Sequence, residues 1–163
     1  MRIYRPALLG CILLAAAGCA TTARQAAAPA AKSQAEANKA VVLAFTDTVF
    51  NKHDVAGAFK QYVGPAYIQH NPKVPDGVEG AIKGLTYVTH TLYPDLRQEV
   101  KRVVAEGNLV AIHTRQIRNA EDAASGRGNA IMDIFRLENG KIVEHWDVVE
   151  EVPATAANNN TMF

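Results

Sequence analysis

Apolar positions recur at three- and four-residue spacing through the first half of the chain and at two-residue spacing through the second. Ser33, with Glu36 three residues on, makes a capping box. Val41, Ala44, Phe45, Thr48 and Val49 then trace the inward stripe of a helix running to about Asn51. A shorter helix from Asp54 to about Tyr62 turns Val55, Ala58 and Phe59 inward. A strand over residues 66–70 ends at His70, and a loop with Pro72, Pro75 and Gly77 leads to a third helix, from about Val78 to Leu92, closed by Pro94. Strands follow at 100–106 and 109–118, joined by Gly107-Asn108, and at 130–137 and 142–149, joined across Asn139-Gly140. A polar loop, 119–128, separates the two pairs. Helices first and a meander after predict an α+β fold, with the N-terminal helices packed on a curved antiparallel or mixed sheet. Such a sheet leaves a cone-shaped cavity between the layers.

The first 32 residues do not belong to that pattern. Arg2 and Arg5 precede a mostly apolar run from Ala7 to Ala17, too short to span a bilayer and shaped like a secretory signal. Ala16-Ala17-Gly18-Cys19 resembles a lipobox, which would make Cys19 the lipidated mature N-terminus; ordinary cleavage after Ala17 is the other reading. The expected division is a signal peptide over 1–18, a tether over 19–33 and a folded domain over 34–163. The expected place is the bacterial cell envelope, lipid-anchored and facing the periplasm from the outer membrane, or soluble in the periplasm under the other reading. Cys11 and Cys19 are the only cysteines, so the mature domain is held by its core without an internal disulfide. Lys and Arg number 17 against 16 Asp and Glu, a balance that argues against nucleic acid as a partner.

Candidate chemistry sits in the final strands. Asp133, Glu144, His145 and Asp147 interrupt segments that are otherwise largely apolar, and buried ionisable groups are costly unless paired or used. Side chains alternate along a strand, so His145 and Asp147 share one face and Glu144 and Trp146 the other. Where Asp133 falls depends on the turn. A two-residue loop at Asn139-Gly140 sets Asp133 opposite Trp146. A three-residue loop with Gly140 in a bulge sets Asp133 opposite His145 and Ile131 opposite Asp147. The second register is adopted because the first scatters buried charge over both faces. It also gathers Met132, Ile134, Ile142, Trp146 and Val148 on the outer face, the expected surface of a homodimer.

Three stretches carry a family resemblance: Tyr67-Ile68-Gln69-His70-Asn71-Pro72, Asp133-Ile134-Phe135-Arg136, and Gly140-Lys141-Ile142-Val143-Glu144-His145-Trp146-Asp147, with the ending Thr161-Met162-Phe163. From about Ala35 to the C-terminus the chain resembles SnoaL-like polyketide cyclases, of the nuclear transport factor 2-like fold. The resemblance implies an intramolecular aldol closure without metal or organic cofactor, an acidic residue on the last strand acting as acid and base. Asp147 is the matching position. The chain departs from the family pattern where a supporting histidine would stand, at Asp133, with His113 and His145 as substitutes.

The catalytic candidates are therefore Asp147, His145, Asp133 and His113, with Tyr67, His70, Asn71 and Phe135 binding substrate and His70 at the cavity mouth. A purely structural His145–Asp147 pair is the rival account. His70, His113, His145 and Asp133 lack close ligand spacing, so no metal is assigned. The expected function is cofactor-free acid/base chemistry on a small carbonyl compound, of aldol or isomerase type. The alternative is a non-catalytic module binding a small apolar ligand.

Overall fold

A computed structural model describes residues 33–163. The signal peptide, Cys19 and the tether before Ser33 lie outside the described residues. Helices α1 (Gln34–Phe50) and α2 (Val55–Tyr62) lead into strand β1 (Val63–Gln69). Helix α3 (Gly77–Tyr87) runs into a π-helical turn (Val88–Leu92) before β2 (Arg97–Glu106) and β3 (Leu109–Ile117). A short helix α4 (Ala120–Ser125), capped by Asn119, occupies the stretch expected to be loop. Strands β4 (Asn129–Glu138) and β5 (Lys141–Glu151) complete a five-stranded sheet of order β1-β5-β4-β3-β2. All neighbours are antiparallel except β1, which lies parallel to β5. Helices packed on a mixed sheet make the α+β layers that the two periodicities predict. Among the described residues, no helix is long and apolar enough to cross a membrane.

Ser33 caps α1, its hydroxyl accepting the Glu36 N–H at 3.3 Å. The stripe α1 buries is shifted from the expected one: Asn38, Val42, Phe45, Thr46 and Val49, with Val41, Ala44 and Thr48 only half-buried. The shift follows from tertiary demand, since the Asn38 amide donates to the Gly107 carbonyl at the β2–β3 turn and thereby fixes the rotation of the helix. Helix α2 buries Val55, Ala58 and Phe59 as expected. Phe45 packs edge-on against Phe59 and Phe135, and Phe59 against Tyr67, so one aromatic chain joins both first helices to the sheet.

The last hairpin corrects the expected register. Glu138 pairs with Lys141, which makes Asn139-Gly140 a two-residue loop, and both residues have positive φ (50° and 73°), as a type I′ turn requires. The extra residue sits further along β5: Leu137 pairs with Ile142 but Arg136 with Glu144, so Val143 is bulged. The bulge lets Ile142 stay fully buried beside Leu137, where an outward position had been expected, and restores the parity of every residue after it. Asp133 consequently lies opposite Asp147, Phe135 opposite His145 and Ile131 opposite Val149.

Two glycines separate the causes of strain. At Gly140 (φ 73°) an added Cβ would meet nothing within 4 Å, whereas at Gly128 (φ 109°) it would lie 2.2 Å from the Gln116 carbonyl oxygen. Gly140→Ala should cost about 1 to 2 kcal/mol, the left-handed backbone alone. Gly128→Ala should cost about 3 kcal/mol or more, because conformation and collision add. Urea denaturation of both variants checks the order; equal losses would contradict it.

Candidate functional site

The concave face of the sheet and the helices above it enclose a cavity of about 270 Å³. That is close to the lower end of small-molecule sites. Its roof is apolar: Phe45 and Phe50 from α1, and Leu85, Val88, Leu92 and Tyr93 from α3 and the segment after it. Its floor carries the ionisable groups. Asp133 on β4 and His145 and Asp147 on β5 point inward together, with one ligand-type atom from each within 4.8 Å of the others.

Parallel pairing sets Gln69 of β1 beside His145, and the chain beyond it wraps over the end of β5. That wrapping orients every polar group in turn. The Asn71 backbone N–H donates to Gln69 Oε1 at 2.9 Å, and because a backbone amide only donates, Oε1 is an acceptor. His145 Nδ1 also faces that oxygen, at 2.9 Å, and so carries a hydrogen. The Gln69 amide nitrogen in turn donates to the Tyr67 hydroxyl oxygen at 3.1 Å. Lys73 N–H donates to Asn71 Oδ1 at 2.8 Å, leaving the Asn71 amide nitrogen to donate to Asp147 Oδ2 at 2.6 Å.

Protons can now be counted. His145 Nε2 lies 3.1 Å from Asp133 Oδ1. With Nδ1 already protonated, that contact holds a single proton, either on the carboxyl facing a neutral ring or on an imidazolium facing a carboxylate. Asp133 is buried, and desolvation pushes its carboxyl above the usual aspartate range; the hydrogen bond and charge of His145 pull the other way, and the charge of Asp147 adds to the rise. Asp133 Oδ2 has no partner at all. Burial also raises the Tyr67 phenol, helped by the charges of Asp133 and Asp147, so the phenol keeps its proton near neutral pH. With Gln69 occupying a lone pair of the Tyr67 oxygen, that O–H remains a donor to whatever enters.

Two expected members of the site lie elsewhere. His113 pairs with Met132 on the outer face of the sheet, with its Nδ1 3.0 Å from Arg102 Nη1 and its ring stacked near Phe163. Its neighbours Ile112 and Thr114 are the buried ones, so strand parity turns His113 away from the cavity. His70 does not line the cavity either. Its ring stacks on Trp146 at 4.8 Å and bonds Glu144 at 2.9 Å, and with Arg136 it holds the Glu144 carboxyl below its usual range. Tyr67, Asn71 and Phe135 do line the cavity, as do Asp133, His145 and Asp147.

The orienting role of Gln69 was not expected from the sequence, nor was a carboxamide cluster of Gln98, Gln116 and Asn129 at the other end of the cavity. Parity with Tyr67 was the available signal for Gln69. Gln98 lies before the predicted start of its strand and gave none.

The model of the SnoaL-like polyketide cyclase family matches residues 40–158, and the chain belongs to that family. No curated protein matches it. Among solved structures it is similar to AclR from Streptomyces galilaeus, at 24% identity and TM-score 0.58 over 74% of this chain and 83% of that one. It is also similar to TsrD from Streptomyces laurentii, at 23% and 0.58 over 73% and 92%. A SnoaL-like protein of unknown function from Burkholderia thailandensis gives 17% and 0.59 over 74% and 99%. These likenesses show the nuclear transport factor 2-like fold.

The buried Asp133 makes a prediction about pH. Its raised pKa means the folded protein holds that proton more tightly than the unfolded chain, so its stabilisation is complete below the unfolded value near 3.8 and is lost as pH rises through the folded value. The melting temperature of the wild type should therefore fall relative to that of Asp133→Asn as pH rises. A gap between the two proteins that does not change with pH would rule Asp133 out as the titrating group.

Proposed function

We propose that the domain is an acid/base enzyme acting on a small carbonyl compound, without calling on a metal or organic cofactor. The observation that supports this most is the 3.1 Å contact between His145 Nε2 and Asp133 Oδ1, beside Asp147 in a cavity with an apolar roof. Two carboxyl groups in unlike surroundings divide the work of acid and base. Asp147, anchored by Asn71 at one oxygen, takes a proton from the carbon beside the carbonyl. The negative charge that moves to the carbonyl oxygen is met by the Tyr67 O–H. In an aldol closure the carbanion then forms a carbon–carbon bond with a second carbonyl of the same molecule, the proton between His145 and Asp133 neutralises the new alkoxide, and the proton held by Asp147 passes back to that pair before the next turnover. In an isomerisation the proton on Asp147 returns to a different carbon. Family membership agrees with small-molecule processing of this kind.

Asp147→Asn keeps the shape but cannot accept a proton. It should reduce turnover by about a hundredfold or more while changing the melting temperature little. If the group is structural, the same change should lower stability by about 1 to 3 kcal/mol. A variant that still binds and never turns over any ketone, like the wild type, would favour the binding-module reading.

Two further readings belong to the same proposal. Val104, Leu109, Met132, Ile134 and Val148 are exposed on the outer face of the sheet, an apolar patch suited to a sheet-to-sheet homodimer. Ile134→Glu with Met132→Glu should then yield a folded monomer by light scattering, and a wild type that is already monomeric at micromolar concentration refutes the dimer. We also propose that Cys19 is lipidated and anchors the domain in the cell envelope, on the strength of Gly18-Cys19 after a short apolar run. Labelled palmitate should enter the wild type expressed in bacteria and be absent from Cys19→Ala.

A further inference from the structure

Four buried side-chain atoms among the described residues lack any hydrogen-bond partner, and two of them, Asp133 Oδ2 and Gln98 Oε1, belong to residues that line the cavity. Gln98 is only 5% exposed. No hydrogen bond is formed by either end of its carboxamide, although its backbone is held at both polar groups by the Asn51 side chain, at 2.9 and 3.1 Å. The backbone at Gln98 is thus held while its carboxamide has no partner in the protein. A buried amide oxygen without a protein partner is costly unless water or a ligand meets it.

Register places the two orphans at opposite ends. Gln98 pairs with Gln116, Gln116 with Asn129, and Asp133 lies four residues further along β4. At the rise of an extended strand Asn129 and Asp133 are about 13 Å apart, and Gln98 lies two strands further across the sheet. Between them the floor is Ile131 and Val149 under the apolar roof. Every ionisable group on the cavity wall apart from Tyr93, namely Lys73, Asp133, His145, Asp147 and Tyr67, belongs to the Asp133 end or the loop beside it.

We propose that Gln98, with Gln116 and Asn129 beside it, is a recognition subsite for a terminal hydroxyl on the carbonyl substrate. The substrate is then an elongated ketone, apolar in its middle, with its reacting carbonyl at Asp147 and Tyr67 and its hydroxyl at Gln98. A hydroxyl both donates and accepts, so it satisfies the carboxamide from either atom. A carboxylate would be buried there with no cation to meet it. The proposal rests on the acid/base reading only for which end reacts.

The probes are benzylacetone and its para-hydroxyphenyl analogue, with binding followed by calorimetry and α-proton exchange into deuterated buffer followed by NMR. The wild type should bind the hydroxylated ketone about tenfold more tightly, the size of one buried hydrogen bond. Gln98→Met should erase that difference, the ratio of the two affinities falling to about one. Its melting temperature should equal or exceed that of the wild type, because an unmatched amide is removed while the Asn51 bonds go to backbone. Equal affinities in the wild type, a preference that survives Gln98→Met, binding of neither ketone, or a lower melting temperature would each overturn the subsite. The exchange signal separates the two ideas. Exchange of both ketones without a hydroxyl preference leaves the acid/base reading standing and removes the subsite. A Gln98-dependent preference without exchange supports the subsite and removes the acid/base reading.

Discussion

Two carboxyl groups face each other across neighbouring strands at Asp133 and Asp147, on the side of the sheet that the helices cover. Like charges in that relation repel, and burial makes each more expensive. The pair survives because its members are treated differently. Asp133 shares a proton with His145, and Asp147 receives the Asn71 amide. Everything that orients those two partners comes from the end of β1 and the loop after it. The parallel strand at the sheet edge is therefore what makes the paired carboxyls tolerable, and the site cannot be understood from the final hairpin alone.

The bulge at Val143 is the second requirement. Without it, a two-residue turn would carry His145 and Asp147 to the outer face and bring Glu144 and Trp146 inward. With it, Ile142 remains in the core, Glu144 joins Arg136 and His70 on the outer face, and the stack of His70 on Trp146 closes that face over the strand end. One inserted residue thus satisfies the core, the outer ion pairs and the cavity together. Bulges beside functional sites commonly have this role of re-aiming side chains.

What the sequence made legible follows from periodicity. Helical and strand repeats gave the order of elements, and period two gave the shared face of His145 and Asp147. The shared face of Asp133 was reached through the wrong turn: the extra residue was placed at Gly140, where glycine advertises it. The bulge is actually at Val143, an ordinary strand residue whose position is fixed only by the pairing of Leu137 with Ile142. The misplacements of His70 and His113 are of another kind. Parity with the apolar, buried Tyr67 and Ile112 already turns both outward, but a histidine near a pocket attracts a chemical reading that alternation does not support. Gln98, Gln116 and Asn129 went unseen because a neutral carboxamide in a strand carries no chemical signature, and for Gln69 parity with Tyr67 gave the face but not the orienting role.

Chemistry and shape are contributed by different layers. The sheet and the loop after β1 supply every ionisable side chain of the cavity except the Tyr93 phenol, while the helical layer supplies Phe45, Phe50, Leu85, Val88, Leu92 and Tyr93. The π-helical turn at Val88–Leu92 belongs to this division. Val88 and Leu92, at its two ends, are four residues apart and both face the cavity before the chain drops into β2. The floor is fixed by strand pairing, by the buried bond between Asp133 and His145 and by the bonds from Asn51 to the Gln98 backbone, so its variation carries a cost in folding. The roof is fixed only by apolar packing, in which side chains of similar volume exchange at small cost. A cavity built this way can change the shape of the ligand it accepts through its helices while the groups that handle protons stay where the sheet holds them.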